Sequence, residues 1–339
     1  MSRIKLLASL FWMFLWIGGC KSGTTEKVNK GEITSTQDTI TQIVKAPAPS
    51  QSIYISNDLG VNWQPLNEGL PKDIHLTSID QFGDELVAAG ETGLFMTQNH
   101  LASWKDIGTG LATKKINTLY VHDNELYIGL FHEGVTRWVL GSPYWNSFNA
   151  NLTNRNVLSI VKYKDELILG NDAGIFKSSD HMQTWKGKHY SEQAVSLAAH
   201  GDTILAGTPK GVLISIDGGE KWRHANTFGP VYAITILDKY VYAQYMSGDL
   251  YISENGGSSW RAVDYGAKDQ SPVFAIIKAG DHYLLSSNHG LFSSRNGRTG
   301  WTLISQMQNK WFSDLLMKDE KLRKRIEKAA KNIIDLQSS

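Results

Sequence analysis

The chain has 339 residues, 41% of them hydrophobic, a formal net charge of +1 and a single cysteine. A near-neutral balance argues against a general nucleic-acid footprint, and one cysteine excludes an intramolecular disulfide. Eleven tryptophans are the unusual feature of the composition, and most of them recur at a regular spacing along the chain.

The first twenty residues read MSRIKLLASLFWMFLWIGGC. Arg3 and Lys5 precede an apolar run from Leu6 to Ile17, which falls short of the ~20 residues a spanning helix needs and predicts a signal peptide over residues 1–19. The run ends Ile17-Gly18-Gly19-Cys20, which is similar to a bacterial lipobox. The resemblance implies a lipid on Cys20 after cleavage. With Lys21 next, it implies an outer-membrane lipoprotein facing either the periplasm or the exterior. An uncleaved anchor, or a signal with a chance cysteine, is the alternative. Residues 20–50 form the lipid-attachment cysteine and a tether. Beyond Cys20 this stretch has no aromatic residue and is rich in Thr, Ser, Lys and Glu, so it cannot bury a core. A flexible tether of this length reaches about 30 Å from the membrane.

From residue 51 a repeat begins. SNDLGVNW ends at Trp63, TQNHLASW at Trp104, SSDHMQTW at Trp185, SIDGGEKW at Trp222, SENGGSSW at Trp260 and SRNGRTGW at Trp301. The slot between the second and third of these holds WVLGSPYW, ending at Trp145, with Trp138 and Leu140 in place of the polar residues. Successive closing tryptophans are 41, 41, 40, 37, 38 and 41 residues apart, a period that marks propeller blades. Six of the seven copies carry Ser or Thr seven residues before the Trp, and six carry Asp or Asn five before it. Ser and Asn can bond neighbouring backbone through short side chains, and Gly256 and Gly257 supply positive φ, so SENGGSSW reads as a hairpin loop whose Trp opens the next strand. Ahead of the last six boxes lie a Gly with apolar residues, then β-rich runs such as DELILG (165–170), then a further apolar strand such as VLSIVKY. Four strands per unit make one blade, and blades must stack to bury their faces.

These boxes resemble the Asp-box, or BNR, repeat of sialidases, sortilin-type receptors and photosystem II assembly factors. The resemblance covers residues 51–305 and implies an all-β, seven-bladed β-propeller. It gives Ser56, Asp58, Trp63, Trp104, Trp145, Ser178, Asp180, Trp185, Ser215, Asp217, Trp222, Ser253, Asn255, Trp260, Ser294, Asn296 and Trp301 a structural role at the outer turns. The first unit shows only SIYIS and its box, so either an N-terminal strand such as Thr39 to Lys45 completes it or that blade is short. Residues 306–339 change character. They are dense in helix formers, with Leu315, Leu322, Ile326, Ala329, Ile333 and Leu336 on one face and a basic remainder, which predicts a C-terminal amphipathic helix. It could pack on the propeller, bind a partner or lie on anionic lipid.

Propeller ligands gather at the face built by the turns between second and third strands and by the connections between blades. The repeat alignment puts Glu91, His132, Glu133, Asp172, Lys210, Tyr245 and His289 in the first class of loop, and Glu192 among others in the second. Convergent polar groups at one mouth suit a ligand site. No catalytic set, metal or cofactor is expected. A sialidase needs an arginine cluster for its substrate carboxylate, and its family carries an Arg-Ile-Pro-like motif before the first box, which this chain lacks. Of the propeller arginines, Arg223, Arg261, Arg295 and Arg298 belong to the outer strands and box turns, leaving Arg137 and Arg155. The reading is therefore a lipid-anchored, non-catalytic scaffold for an envelope protein or glycan partner, with a sialidase-like glycoside hydrolase as the alternative. Cys20→Ser should release the protein from membranes into the soluble fraction. Retention in the membrane after fractionation would contradict lipid anchoring.

Overall fold

The computed structural model describes residues 53–55, 64–72, 74–98, 101, 103–189, 192–267 and 272–305. The signal with Cys20, the tether, the first box with Ser56, Asp58 and Trp63, and the C-terminal helix expected over residues 306–339 lie outside the described residues.

Six four-stranded antiparallel sheets form, each from four consecutive strands in sequence order. Their first strands are Leu76–Phe82, Ile116–His122, Val157–Tyr163, Ser196–His200, Val231–Leu237 and Val273–Ala279. First strands of successive sheets lie against one another and so surround the axis. The described residues thus build a β-propeller with six complete blades, against the seven expected. The first unit contributes a two-stranded sheet, Tyr54–Ile55 paired with Gln64–Pro65. Because the first box lies between these strands, they are the third and fourth of the repeat. Its first and second strands are not among the described residues. This hairpin is unit one, and the complete blades are units two to seven in chain order.

Alternation along each strand sends side chains to opposite seams. In unit four, Leu169 and Phe176 pack with Tyr127 and Val135 of unit three, while Ile168 and Ile175 pack with Leu197 and Leu213 of unit five. Both sets are buried, so the strand reads as a continuous apolar run rather than an alternating one. Each such side chain contributes about 1.5–3 kcal/mol by burial. Close approach of neighbouring blades needs glycine in the seam. A Cβ on Gly170 would lie 2.3 Å from the Ala194 carbonyl oxygen of the next blade.

The polar pair of the box closes its turn in the same way in three blades and in a tighter form in a fourth. Ser215 Oγ donates to Asp217 Oδ1 at 2.9 Å and accepts from the Gly219 N–H at 2.9 Å, while Asp217 Oδ1 accepts from the Lys221 N–H at 2.9 Å. Ser178 with Asp180 and Ser253 with Asn255 repeat the pattern, while Ser294 and Asn296 accept from the Gly297 and Thr299 N–H groups, three residues on, and Ser294 Oγ also donates to Thr299 O at 2.6 Å. The Thr184 hydroxyl and backbone N–H, together with the Ser178 hydroxyl, hold the Asp180 carboxyl down at about 2. Asn255 and Asn296 accept backbone N–H bonds without charge, so the turn requires an oxygen acceptor rather than an anion. In unit three, where the pair is missing, Trp138 Nε1 donates to Ser142 O at 2.8 Å and the Trp138 and Trp145 rings lie 5.9 Å apart.

Four of the closing tryptophans show two orientations. Trp104 Nε1 donates to Leu66 O and Trp185 Nε1 to Phe148 O, each in the preceding unit, and both rings are buried. Trp222 and Trp260 instead donate to Gly219 O and Gly257 O of their own turns and stay half-buried. Trp185→Ala should therefore cost about 3–5 kcal/mol, the range for large buried aromatics, and Trp222→Ala clearly less. Urea denaturation of the two variants checks this, and equal losses would contradict the two-orientation picture.

Candidate functional site

Antiparallel order puts the turns between second and third strands at the same end of each blade as the connections between blades. Hydrogen bonds tie the two together. The Glu91 N–H donates to His75 O, Phe131 N–H to Lys115 O and Met246 N–H to Pro230 O, each acceptor sitting just before a first strand. This end of the propeller is the face on which the sequence places its candidate residues.

Near the axis the first strands are bulged at one repeated place. Pairing skips between Leu76 and Ser78, Ile116 and Thr118, Val157 and Ser159, Val231 and Ala233, and Val273 and Ala275. A bulge frees the extra residue from the ladder and re-aims its side chain. Thr77 Oγ1 donates to Ile116 O at 2.6 Å, Asn117 Nδ2 to Val157 O at 3.0 Å and the Tyr232 hydroxyl to Val273 O, each reaching the next blade.

From Asn117 a chain of amides and one carboxylate crosses three blades. Asn117 Nδ2 also donates to Asn156 Oδ1 at 2.8 Å, Asn156 Nδ2 donates to Asp172 Oδ2 at 2.7 Å, and Gln193 Nε2 donates to Asp172 Oδ1 at 2.6 Å. Asp172, in the turn of unit four, is thus the central acceptor, held by connections on both sides. Asn154 supports it by accepting from Asn171 Nδ2 at 2.7 Å through its carbonyl. Hydrogen bonds to an ionised group contribute about 1.5–3 kcal/mol each when well shielded, and less here because Asp172 is partly exposed.

The other candidate residues distribute unevenly. His132 and Glu133 are exposed on the unit-three turn and Lys210 is exposed on that of unit five, while Glu91 and His289 are half-buried. Tyr245 does not belong to the face. It is buried between units five and six, 2% exposed, and its hydroxyl donates to Asn226 Oδ1 at 2.6 Å. Burial raises its pKa further above the usual phenol range. The chain turns one residue later than expected, at Met246, so Tyr245 ends the strand and faces inward.

Two histidines join the picture only in three dimensions. The Glu192 carboxylate is buried, 4% exposed, with His224 Nε2 at 3.2 Å and His189 Nε2 at 3.8 Å from its Oε1, contacts that become ion pairs on protonation. Burial lowers the His189 pKa, with Glu192 opposing and His224 and Lys210 adding to the shift. A signal for His189 exists. It stands four residues after Trp185, where units one, three and five have Asn67, Asn149 and Asn226, whose Oδ1 atoms cap the Ile53, Val135 and Val212 N–H groups.

The two arginines left for a carboxylate-binding cluster do not meet. Arg137 Nη1 lies 3.5 Å from Glu125 Oε1, at the start of the second strand and the far end of the blade, with its guanidinium over the Phe148 ring. Arg155 is exposed on the connection leading to unit four.

No family model and no curated protein matches the chain. Solved structures do. A structure of YCF48 bound to D1 peptide superposes with a TM-score of 0.55 at 13% identity, covering 67% of this chain and 80% of that one. The extracellular domain of a putative hybrid two component system from B. thetaiotaomicron gives 0.56 at 14% identity, over 72% of this chain and 37% of that one. A GH74 xyloglucanase from Xanthomonas campestris gives 0.51 at 16% identity, over 65% of this chain and 43% of that one. At these identities the likeness is one of fold, and the shared fold is the β-propeller.

Asp172→Ala should destabilise by about 1–3 kcal/mol, and Gln193→Ala should add little on top of it, since both remove the same bond. Simple additivity in a double-mutant cycle would show that the chain of hydrogen bonds does not act as a unit.

Proposed function

We propose that the protein is a lipid-anchored, non-catalytic propeller that presents the face of turns and connections to a protein or glycan partner in the cell envelope, as an assembly or stability factor. The observation that carries this reading is the chain from Asn117 to Gln193, which ties three neighbouring blades together at that face and leaves exposed polar side chains around it. A rigid surface loses little order on binding, which favours recognition. The likeness to a propeller solved with a peptide supports a protein partner by analogy of fold alone. Likeness to an extracellular domain supports an envelope location in the same limited way. The lipobox-like Cys20 supplies the anchor, the outer membrane being its expected address. Thr39 to Lys45 is proposed to complete unit one as a seventh blade, and residues 306–339 to form the amphipathic helix.

Glycoside hydrolysis is the weaker reading. It would need carboxylates paired across a cleft and arginines that converge, and Arg137 and Arg155 sit at opposite ends of their blade.

The acylated protein should retain a partner from detergent-solubilised envelopes. A variant combining His132→Ala, Lys210→Glu and His289→Ala should lose it. Retention of the same partner by that variant would remove the face from consideration, and release of reducing sugar from envelope glycans would overturn the non-catalytic reading.

A further inference from the structure

The turn of unit three differs from its counterparts in being fixed from both sides while exposing two aromatic rings. The Phe131 N–H donates to Lys115 O at 3.0 Å in the preceding connection, and the Gly134 N–H to Arg155 O at 2.8 Å in the following one. Asn149 Nδ2 donates to Glu133 O at 3.0 Å, and its Oδ1 accepts from the Val135 N–H at 2.9 Å. His132 is held at φ +60°, a conformation that non-glycine residues adopt only when their surroundings impose it. The Phe131 and His132 rings meet edge-on at 4.0 Å, and Phe131 remains 41% exposed. Phe228, also exposed, by contrast packs on Tyr251 and Tyr245 of its neighbouring blade.

Two cations flank the rings. Lys115 Nζ stands 5.4 Å from the Phe131 ring centre, and Arg155 flanks the other end. Both are exposed, and neither forms an ion pair among the described residues. Lys114 is paired with Asp106, the Asp172 oxygens accept from the neutral amides of Asn156 and Gln193, which do not neutralise that carboxylate, and Glu133 is exposed on the turn itself.

We infer that this turn is the anchor of the partner-binding face, and that it takes an extended protein segment in which an apolar side chain is flanked by carboxylates. The inference rests on the reading of this face as a partner-binding surface and narrows it to an acidic protein segment. In an extended chain, residues two apart share a face and lie about 6.6–6.8 Å apart. An apolar side chain on Phe131 then brings acids at the second position on either side toward Lys115 and Arg155. A pre-ordered exposed aromatic with cations at its rim has the composition of an interface hot spot, where steering charges set the choice of partner.

The test is selection from a random peptide display library against three proteins: wild type, Phe131→Ala, and the double variant Lys115→Glu/Arg155→Glu. The substituted side chains are exposed, so thermal melts should coincide and any difference reports binding. Peptides enriched on the wild type should carry Asp or Glu around an aromatic or aliphatic residue and bind each variant at least tenfold more weakly. Lys115→Glu/Arg155→Glu should instead enrich Lys- or Arg-flanked sequences. Enriched peptides that bind both variants as tightly as wild type would overturn the inference while leaving the partner-binding face intact. If the wild type enriches no peptide but retains envelope glycan, the protein reading and this inference fall together.

Discussion

Everything in this structure depends on the seam between blades. A four-stranded antiparallel sheet with apolar side chains on both faces cannot be stable alone, and each blade here is of that kind. Its second strand is buried almost throughout because the neighbours on either side both demand apolar contact. Pressing blades together in turn requires Gly170, whose missing Cβ leaves room for the next backbone. The seams fix the turns at one end of every blade relative to the connections, and that arrangement creates the candidate face. Among the described residues six apolar clusters join unit one through to unit seven, and none joins the last blade back to the first.

Features set within one hairpin were legible in the sequence. The Ser and Asp or Asn of four boxes act on backbone groups three or four residues away, so spacing alone identifies them, and the Asn replacements work because only an acceptor is needed. Features that depend on the neighbouring blade were not legible. Whether a closing tryptophan reaches back to the preceding unit, as Trp185 does, or folds over its own turn, as Trp222 does, depends on what the adjacent blade presents. The blade count fell between the two. Seven boxes are visible in the chain, yet unit one has only its outer hairpin among the described residues.

The same distinction governs the site. Asp172 was placed on the face by its position in the repeat. Its partners Asn156 and Gln193 lie 16 and 21 residues away in two different connections, a relation no local pattern encodes. Tyr245 aligns with turn residues of other units in the repeat, but unit six turns one residue later, at Met246, so its side chain faces the seam. The pairing of His189 and His224 with Glu192 across the seam between units four and five was missed because each residue looks ordinary by itself.

These polar arrangements also separate holding from catalysis. The Asp172 carboxylate spends both oxygens on amide donors that belong to the fold, so its charge serves the face's rigidity before any ligand arrives. Arg137 is likewise committed, to Glu125 and to the Phe148 ring at the far end of its blade. A hydrolase would need such groups aimed at a common point and spared from structural duty. The Phe131 turn exposes its ring at the face with Lys115 beside it, the feature on which the proposed grip on a protein segment rests. The division follows from the repeat itself. Side chains that must tie blades together are consumed near the axis, and under the proposed function recognition would fall to whichever turn departs from the pattern.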